Sequence, residues 1–331
     1  MKTTMMILNE KEIRQCVDVN QEAFDEVAKG FSALAENKVT LPPIMRIEVK
    51  DHDGEVDVKT AYIHGLDSFA IKIAAGFYSN FLKGLPSSSG MMVLVSAETG
   101  FPMALLLDNG YLTDVRTGIA GAIAAEYLAP KEIKVAGVIG SGIQSRYQIR
   151  GLRLVRPFSK LMVFGIVEQE VDRYLREMTD ELGIEVVKAK DVESVVRESQ
   201  FVVTTTPSKE PFLRAEYLHP GLHITCMGAD AEDKQELHAE VFLKADRIAC
   251  DVKTQVFRLG ELHHALMAGF VKEDDVIELG ELTTGRKKGR EYAEEITVCD
   301  LTGVGVQDTQ IARLAYRRAL EQGLGTAISG D

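Results

Sequence analysis

A small set of residues in this chain has the type and setting that chemistry requires. The apolar run Val135–Ile139 ends in Gly140-Ser141-Gly142, and a helical pattern follows from about Gln144 to Val155. A strand, a glycine turn and a helix N-terminus in that order form a phosphate cradle. Glycine admits a close backbone approach, and the N–H groups and dipole of the helix start favour an anion. The spacing is G-x-G-x-x-S, with Ser145 in place of a third glycine. Lys72, in Phe69-Ala70-Ile71-Lys72, interrupts an apolar strand and must snorkel or find a partner. On the pattern alone it reads either as a solubility lysine on an edge strand or as a buried cation with a partner. Asp230, beside Gly228 and just past an apolar strand, is either a turn aspartate or a carboxyl group that moves a proton. Arg46, after Leu41-Pro42-Pro43, reads by itself as an exposed strand arginine. Arg116 is expected in the first turn of a helix, where the dipole disfavours a cation, which argues for a specific task. His263-His264 has no third ligand at workable spacing and reads as a pair on a helix face rather than a metal site.

The elements that must position these residues change character along the chain. A short strand at Met5–Leu8 precedes a helix with Asn9 as N-cap and Glu12 three residues on. A second helix, about Asn20–Leu34, carries Ala23, Phe24, Val27, Phe31 and Leu34 at helical spacing. Strand patterns follow at Ile44–Val49, Val56–His64, Phe69–Phe77, Met91–Ser96 and Pro102–Leu107, separated by turn signals. An antiparallel sheet with two helices is expected for this first third. An alanine-rich helix, Leu112–Leu128, leads into alternation. Strands are expected at Lys134–Gly140, Leu161–Phe164, Glu185–Ala189, Phe201–Thr205, His223–Met227, Arg247–Cys250 and Ile296–Asp300, mostly with helices between them. Alternation predicts a parallel sheet covered on both faces. Its strand ends gather small and polar residues: Gly140-Ser141-Gly142, Gly165, Thr204-Thr205-Thr206-Pro207, Met227-Gly228-Ala229-Asp230 and Asp300-Leu301-Thr302-Gly303. That is the edge where open α/β sheets bind ligands. A last helix, about Asp308–Gln322, is expected to return to the first domain.

Composition narrows the class. At 331 residues the chain can form two domains, and 45% apolar with 27% charged residues is ordinary for a globular protein. The net charge of −12 argues against a general nucleic-acid or anionic-membrane binder. Four scattered cysteines (Cys16, Cys226, Cys250, Cys299) form no C-x-x-C and read as reduced, buried residues. No leader and no apolar run of membrane-spanning length is recognised, so a cytoplasmic protein without membrane or nucleic-acid partners is expected.

Taken together, Leu112-Thr113-x-x-Arg116-Thr117, Gly140-Ser141-Gly142-x-Gln144, Thr204-Thr205-Thr206-Pro207-Ser208, Gly228-Ala229-Asp230 and Asp300-Leu301-Thr302-Gly303 resemble the ornithine cyclodeaminase/mu-crystallin family. The runs Gly54–Tyr62 and Asp108–Arg116 are similar to its ectoine-utilisation cyclodeaminase-like branch. The resemblance covers essentially the whole chain. It implies an α/β fold, a Rossmann-type doubly wound parallel sheet (residues 117–306) inserted in an α+β substrate and dimerisation domain (1–116 plus 307–331), and a homodimer. It implies an NAD(P)-dependent enzyme acting on the C–N bond of a small amino or imino acid, most like a cyclodeaminase. The alternatives are an imine reductase or amino-acid dehydrogenase and, in another class, a dinucleotide-dependent binding protein without turnover. By the same resemblance Asp230 is the acid/base and Lys72 polarises the substrate. Arg46, Lys72, Arg116 and Lys234 bind the substrate, with Lys59 a second candidate for anion contact. Ser87, Arg116, Gly140, Gly142, Ile143, Gln144, Thr204, Thr205, Thr206, Met227, Gly228, Asp230, Leu301 and Thr302 contact the cofactor, and no metal is implied. One departure concerns the choice of cofactor. Gly165 stands where an acidic residue holds the ribose 2′-OH in NAD-binding units, no arginine immediately replaces it, and Glu168 either reaches the ribose or, the favoured reading, begins the next helix. The balance leans slightly to NAD over NADP.

Overall fold

The computed structural model describes residues 4–329; residues 1–3 and 330–331 of the expected first domain lie outside them. The chain forms two compact units, Met1–Arg116 with Val304–Asp331, and Thr117–Gly303. In chain order, β1 (Thr4–Asn9) runs into α1 (Glu10–Cys16) and α2 (Gln21–Ala35), then β2 (Val39–Thr40), β3 (Met45–Val49), β4 (Gly54–Thr60), β5 (Tyr62–Ile63), β6 (Ser68–Phe77), β7 (Ser88–Ser96), β8 (Pro102–Leu107) and α3 (Tyr111–Leu128). The second unit alternates β9 (Val135–Ile139), α4 (Ile143–Val155), β10 (Lys160–Phe164), α5 (Glu168–Leu182), β11 (Glu185–Lys188), α6 (Val192–Glu198), β12 (Phe201–Thr204) and β13 (His223–Cys226). It continues with β14 (Arg247–Cys250), α7 (Lys253–Val256), α8 (Gly260–Met267), β15 (Val276–Glu278), α9 (Leu279–Thr283) and β16 (Thr297–Asp300); α10 (Gly305–Gln322) and β17 (Thr326–Ser329) return to the first unit.

Local chemistry sets the first boundaries. Asn9 and Glu12 exchange hydrogen bonds as a capping box, with Asn9 Oδ1 accepting from Glu12 N–H (3.1 Å) and the Glu12 carboxylate accepting from Asn9 N–H (2.9 Å). The first unit's sheet has seven strands in the order β17-β1-β8-β7-β6-β4-β3. It is antiparallel except where β1 runs parallel to β8. α10 packs along β6 and against α2. The single strand expected over Val56–His64 is broken at Ala61, whose carbonyl accepts from the Thr309 hydroxyl of α10 (2.7 Å). α10 begins so close to this break that a Cβ on Gly305 would lie 2.3 Å from Thr60 O.

The second unit's sheet has eight strands, all parallel, in the order β11-β10-β9-β12-β13-β16-β14-β15. The chain winds outward from β9 in one direction and onward from β12 in the other, so the switch point lies between β9 and β12. Alternate strand residues feed two apolar clusters, one on each face. Val138 and Val203 belong to one, and Ile139 and Val202 to the other. This is a doubly wound α/β fold. Among the described residues no helix is long and apolar enough to cross a membrane.

Candidate functional site

In the second unit the predicted turn joins β9 to α4. Gly140 has φ +110, and a Cβ there would sit 2.5 Å from Thr205 Oγ1, so both conformation and space require glycine. Gly142 is the N-cap of α4 and supplies no side-chain hydrogen bond to the helix, while a Cβ built on it meets nothing within 4 Å. This open cradle at the start of a 13-residue helix fits a pyrophosphate. Ser145, at the third-glycine position, is fully buried, and its hydroxyl donates back to Gly142 O (2.6 Å), closing the turn. Arg146 reinforces the turn by donating to Ser141 O and Gly142 O, both at 2.8 Å. Ile143 is half-exposed at the head of α4, followed by Gln144. At the β10 end, a Cβ on Gly165 would approach Val171 Cγ2 to 2.9 Å and Ser141 Oγ to 3.0 Å. A side chain there would have to push these two neighbours aside. Glu168 is the first residue of α5 and pairs at the surface with Lys188 (2.7 Å).

Asp230 follows β13, and its Oδ1 accepts from Lys234 Nζ at 2.7 Å. Lys234 is only 5% exposed, and its carbonyl accepts from His264 Nε2 (2.9 Å). The ammonium fixes the direction of the Asp230 carboxyl group. Thr204 is fully buried with its hydroxyl on Glu236 (2.7 Å); Thr205 N–H donates to Ile139 O (2.9 Å), and Thr206 meets Glu236 through both N–H and hydroxyl. Met227 and Gly228 are half-buried at the β13 end. Leu301 and Thr302 are buried, and Thr302 N–H donates to the Asp251 carboxylate (2.8 Å). His263 and His264 share α8, with His263 Nδ1 3.1 Å from Phe257 O. Among the described residues no group of three or more His, Cys, Asp or Glu side chains could hold a metal ion.

In the first unit the pattern of β6 turns Lys72 onto the covered face of the sheet, where it is 1% exposed. It is therefore neither on an edge strand nor in solvent. Its Nζ lies 3.0 Å from Asp308 Oδ1, and Arg116 Nε reaches the same oxygen at 3.0 Å. Arg116 also donates to Gln307 Oε1 (2.8 Å). Lys59, buried on β4, is the cross-strand neighbour of Lys72. Burial, and next the Arg116 charge, push the Lys72 ammonium down to about 7. Asp108, at the head of α3, is buried too, and desolvation raises its carboxyl group to about 6. Its Oδ2 accepts from Leu112 N–H (2.7 Å), which starts α3 at Tyr111. Arg116 thus lies in the second turn rather than the first. The helix dipole explains little of its setting, and the Asp308 pairing explains more.

Arg46 shares this face but is engaged. Its guanidinium forms two 2.7 Å bonds to Asp57 and lies 3.6 Å from Glu55. Ser87 is exposed in the turn before β7, with its carbonyl accepting from Phe77 N–H (2.8 Å). Sequence reasoning missed Asp308, Asp108 and Glu236. Each is an acid in a stretch that reads as a solvated helix or turn, and only burial distinguishes it.

Residues 1–323 match the ornithine cyclodeaminase/mu-crystallin family. A Sinorhizobium fredii protein named as an uncharacterized cyclodeaminase is 47% identical over 98% of this chain and 98% of its own length. The Thermococcus litoralis Δ1-pyrroline-2-carboxylate reductase, solved in complex with NADH and L-proline, superposes with a TM-score of 0.92 at 31% identity, covering 97% of this chain and 99% of that one. An archaeal alanine dehydrogenase dimer with bound NAD also gives 0.92, at 34% identity, over 99% of this chain and all (100%) of that one. The chain belongs to the ornithine cyclodeaminase/mu-crystallin family.

Proposed function

We propose that this chain is an NAD-dependent enzyme that acts on the C–N bond of a small amino or imino acid. The observation that carries the reading is the convergence of Lys72 and Arg116 on one buried oxygen of Asp308. Two cations sharing one oxygen are short of negative charge, and a substrate carboxylate supplies it. NAD, when bound, supplies the acceptor or, in its reduced form, the donor of a hydride at the substrate Cα. The Gly140–Gly142 cradle would hold its pyrophosphate, with the loops at the ends of β12, β13 and β16 beside it.

The chain's own residues do the rest. Arg116 presents a planar guanidinium to the α-carboxylate. Lys72 polarises the C=N or C=O bond as electrons move at Cα. Asp230 takes a proton from, or returns one to, the substrate nitrogen, with Lys234 holding its carboxylate. Arg46, already held by Asp57, acts as an orienting residue on the same face, and Lys59 adds positive potential.

The similarity to an alanine dehydrogenase and an imine reductase supports net redox. The name of the Sinorhizobium fredii relative supports a second outcome, redox-neutral cyclodeamination, in which the same hydride step is followed by ring closure with loss of ammonia and hydride return. The deciding experiment follows nicotinamide absorbance with 2-oxo acids plus ammonia, preformed cyclic imines and L-amino acids, with ammonia release from diamino acids measured in parallel. Stoichiometric cofactor change supports a reductase or dehydrogenase. Ammonia release without cofactor change supports a cyclodeaminase. Tight NADH binding with neither signal would overturn catalysis in favour of a binding protein.

A homodimer is part of this reading. The outer face of the first unit's sheet carries the cross-strand row Met45–Val58–Ile73–Met91, and Met45, Ile47, Met91 and Leu107 are 54%, 52%, 37% and 39% exposed. An apolar sheet face of this kind is suited to a symmetric partner.

A further inference from the structure

Four donors converge on the carboxylate of Glu236. Oε1 accepts from Thr206 N–H (2.6 Å) and the Thr206 hydroxyl (2.8 Å), and Oε2 accepts from the Thr204 hydroxyl (2.7 Å) and Gly228 N–H (2.9 Å). The side chain is fully buried. Taking a carboxylate out of water costs several kcal/mol unless such donors replace the water, and an apolar side chain would serve if packing alone were needed. The donors come from two loops, those that end β12 and β13. These loops approach so closely that a Cβ on Gly228 would fall 2.1 Å from Thr206 O and 2.6 Å from the Glu236 carboxylate. Glu236 is itself held by its backbone, since its N–H and that of Leu237 donate to the buried Glu261 carboxylate at 2.7 and 3.0 Å. The segment 228–236 is therefore fastened at both ends, and the Lys234–Asp230 bond spans its middle.

We propose that Glu236 is a positioning residue. Its carboxylate locks the loops that end β12 and β13 into the arrangement that receives the nicotinamide half of the cofactor and aims Asp230. The inference rests on the NAD-dependent reading above. It assigns cofactor affinity and the placement of the proton-transfer group to a side chain that touches neither cofactor nor substrate.

The test is Glu236→Gln, which keeps length and volume but replaces one acceptor oxygen with an NH2 group, so that Thr206 N–H or Gly228 N–H faces a donor. NADH affinity is read from nicotinamide fluorescence, KM values for cofactor and amino acid are measured separately, and melting is followed alongside. The expected result is a rise in the Kd and KM for cofactor of about 10-fold or more, a lower kcat, and an amino-acid KM close to wild type. A folded E236Q with wild-type cofactor Kd and kcat overturns the inference, and so does a loss of melting temperature with unchanged cofactor Kd. Where E236Q does not fold, Thr204→Val, which removes one hydroxyl donor at constant shape, carries the test. A smaller rise in cofactor Kd supports the role, and an unchanged Kd overturns it. A wild-type protein that binds no NADH overturns the proposed function and this inference with it; tight wild-type binding with an indifferent E236Q overturns the inference alone.

Discussion

Lys72 Nζ stands 3.0 Å from Asp308 Oδ1, with the two side chains 2% and 0% exposed. Removing one charge of such a pair strands the other. Asp308→Asn leaves both Lys72 and Arg116 without their shared anion and is expected to cost about 3–5 kcal/mol of stability. Lys72→Met leaves Asp308 with Arg116, so the loss of stability should be smaller. The same change removes the polarising cation, and turnover is expected to fall about 10²–10³-fold. Denaturant unfolding of the two variants beside wild type measures the first contrast, and kcat of K72M the second. K72M with wild-type turnover would remove Lys72 from the mechanism.

The depressed Lys72 has a consequence for binding. With its ammonium brought down to about 7 by burial and the Arg116 charge, the free protein carries a partly neutral lysine at neutral pH. A substrate carboxylate favours the charged form. Affinity should therefore be greatest below pH 7 and weaken as pH rises above it, and binding near pH 8 should take up protons from solution. Titration calorimetry in two buffers of different ionisation enthalpy measures the uptake directly. Identical apparent enthalpies in both buffers would show that Lys72 does not change its protonation on binding.

The stability of the second unit should respond to pH in the opposite sense to ordinary acid denaturation. Burial raises Glu236 to about 7 and raises Glu261 and Asp300 well above the usual carboxylate range. A group whose folded value is raised binds more protons in the folded state, so stability falls as pH climbs from the unfolded value, near 4.5 for Glu236, to the folded one. Buried His223, held well below 6.5, opposes this below that pH, since the unfolded chain then binds the extra proton. Above pH 6.5 the histidine is neutral in both states, so the raised acids set the slope there. The second unit should therefore melt higher at pH 6 than at pH 8, and Glu261→Gln should flatten the dependence. A melting temperature that rises steadily from pH 6 to pH 8 would contradict the assignment.

The parts of the site that were legible in sequence are those where a local rule is visibly broken or kept. Gly140 and Gly142 follow an apolar strand and precede a helix, which is a local signature, and Lys72 is an anomaly within its own strand. Glu236 and Asp308 carry no such mark. An acid at Lys234-Gln235-Glu236 or Gln307-Asp308 looks like a solvated charge until donors about 30 residues away, or a strand more than 200 residues away, bury it. The same holds for architecture. β9 to β13 read directly from alternation. β17 is four exposed residues whose strand character comes only from pairing with β1 at the other end of the chain, and β15 has three residues. Arg116 shows the cost of a small boundary error, because a helix start at Tyr111 replaces the dipole argument with an ion pair.

Gly165 makes the cofactor's 2′ position the most instructive place to test the binding unit. The close approach of Val171 and Ser141 crowds any side chain at 165, and glycine supplies no acid to hold a ribose 2′-OH and repel a 2′-phosphate. Glu168, three residues beyond Gly165, and Lys188 at the end of β11 pair at the surface across 2.7 Å. Discrimination between NADH and NADPH should accordingly be weak compared with an enzyme bearing that acid. It should also be adjustable at this surface pair. Glu168→Gln frees the Lys188 ammonium and is expected to tighten NADPH binding severalfold while leaving NADH nearly unchanged. Because the pair is exposed, the gain should fade as ionic strength rises through about 0.15 M, where the Debye length is about 8 Å. Fluorescence titrations of both reduced cofactors at two salt concentrations provide the measurement. An NADPH affinity that E168Q leaves unmoved at low salt would place the ribose away from the β10–β11 strand ends. A strong wild-type preference for NADH would require an acidic contact from a residue other than the one Gly165 replaces.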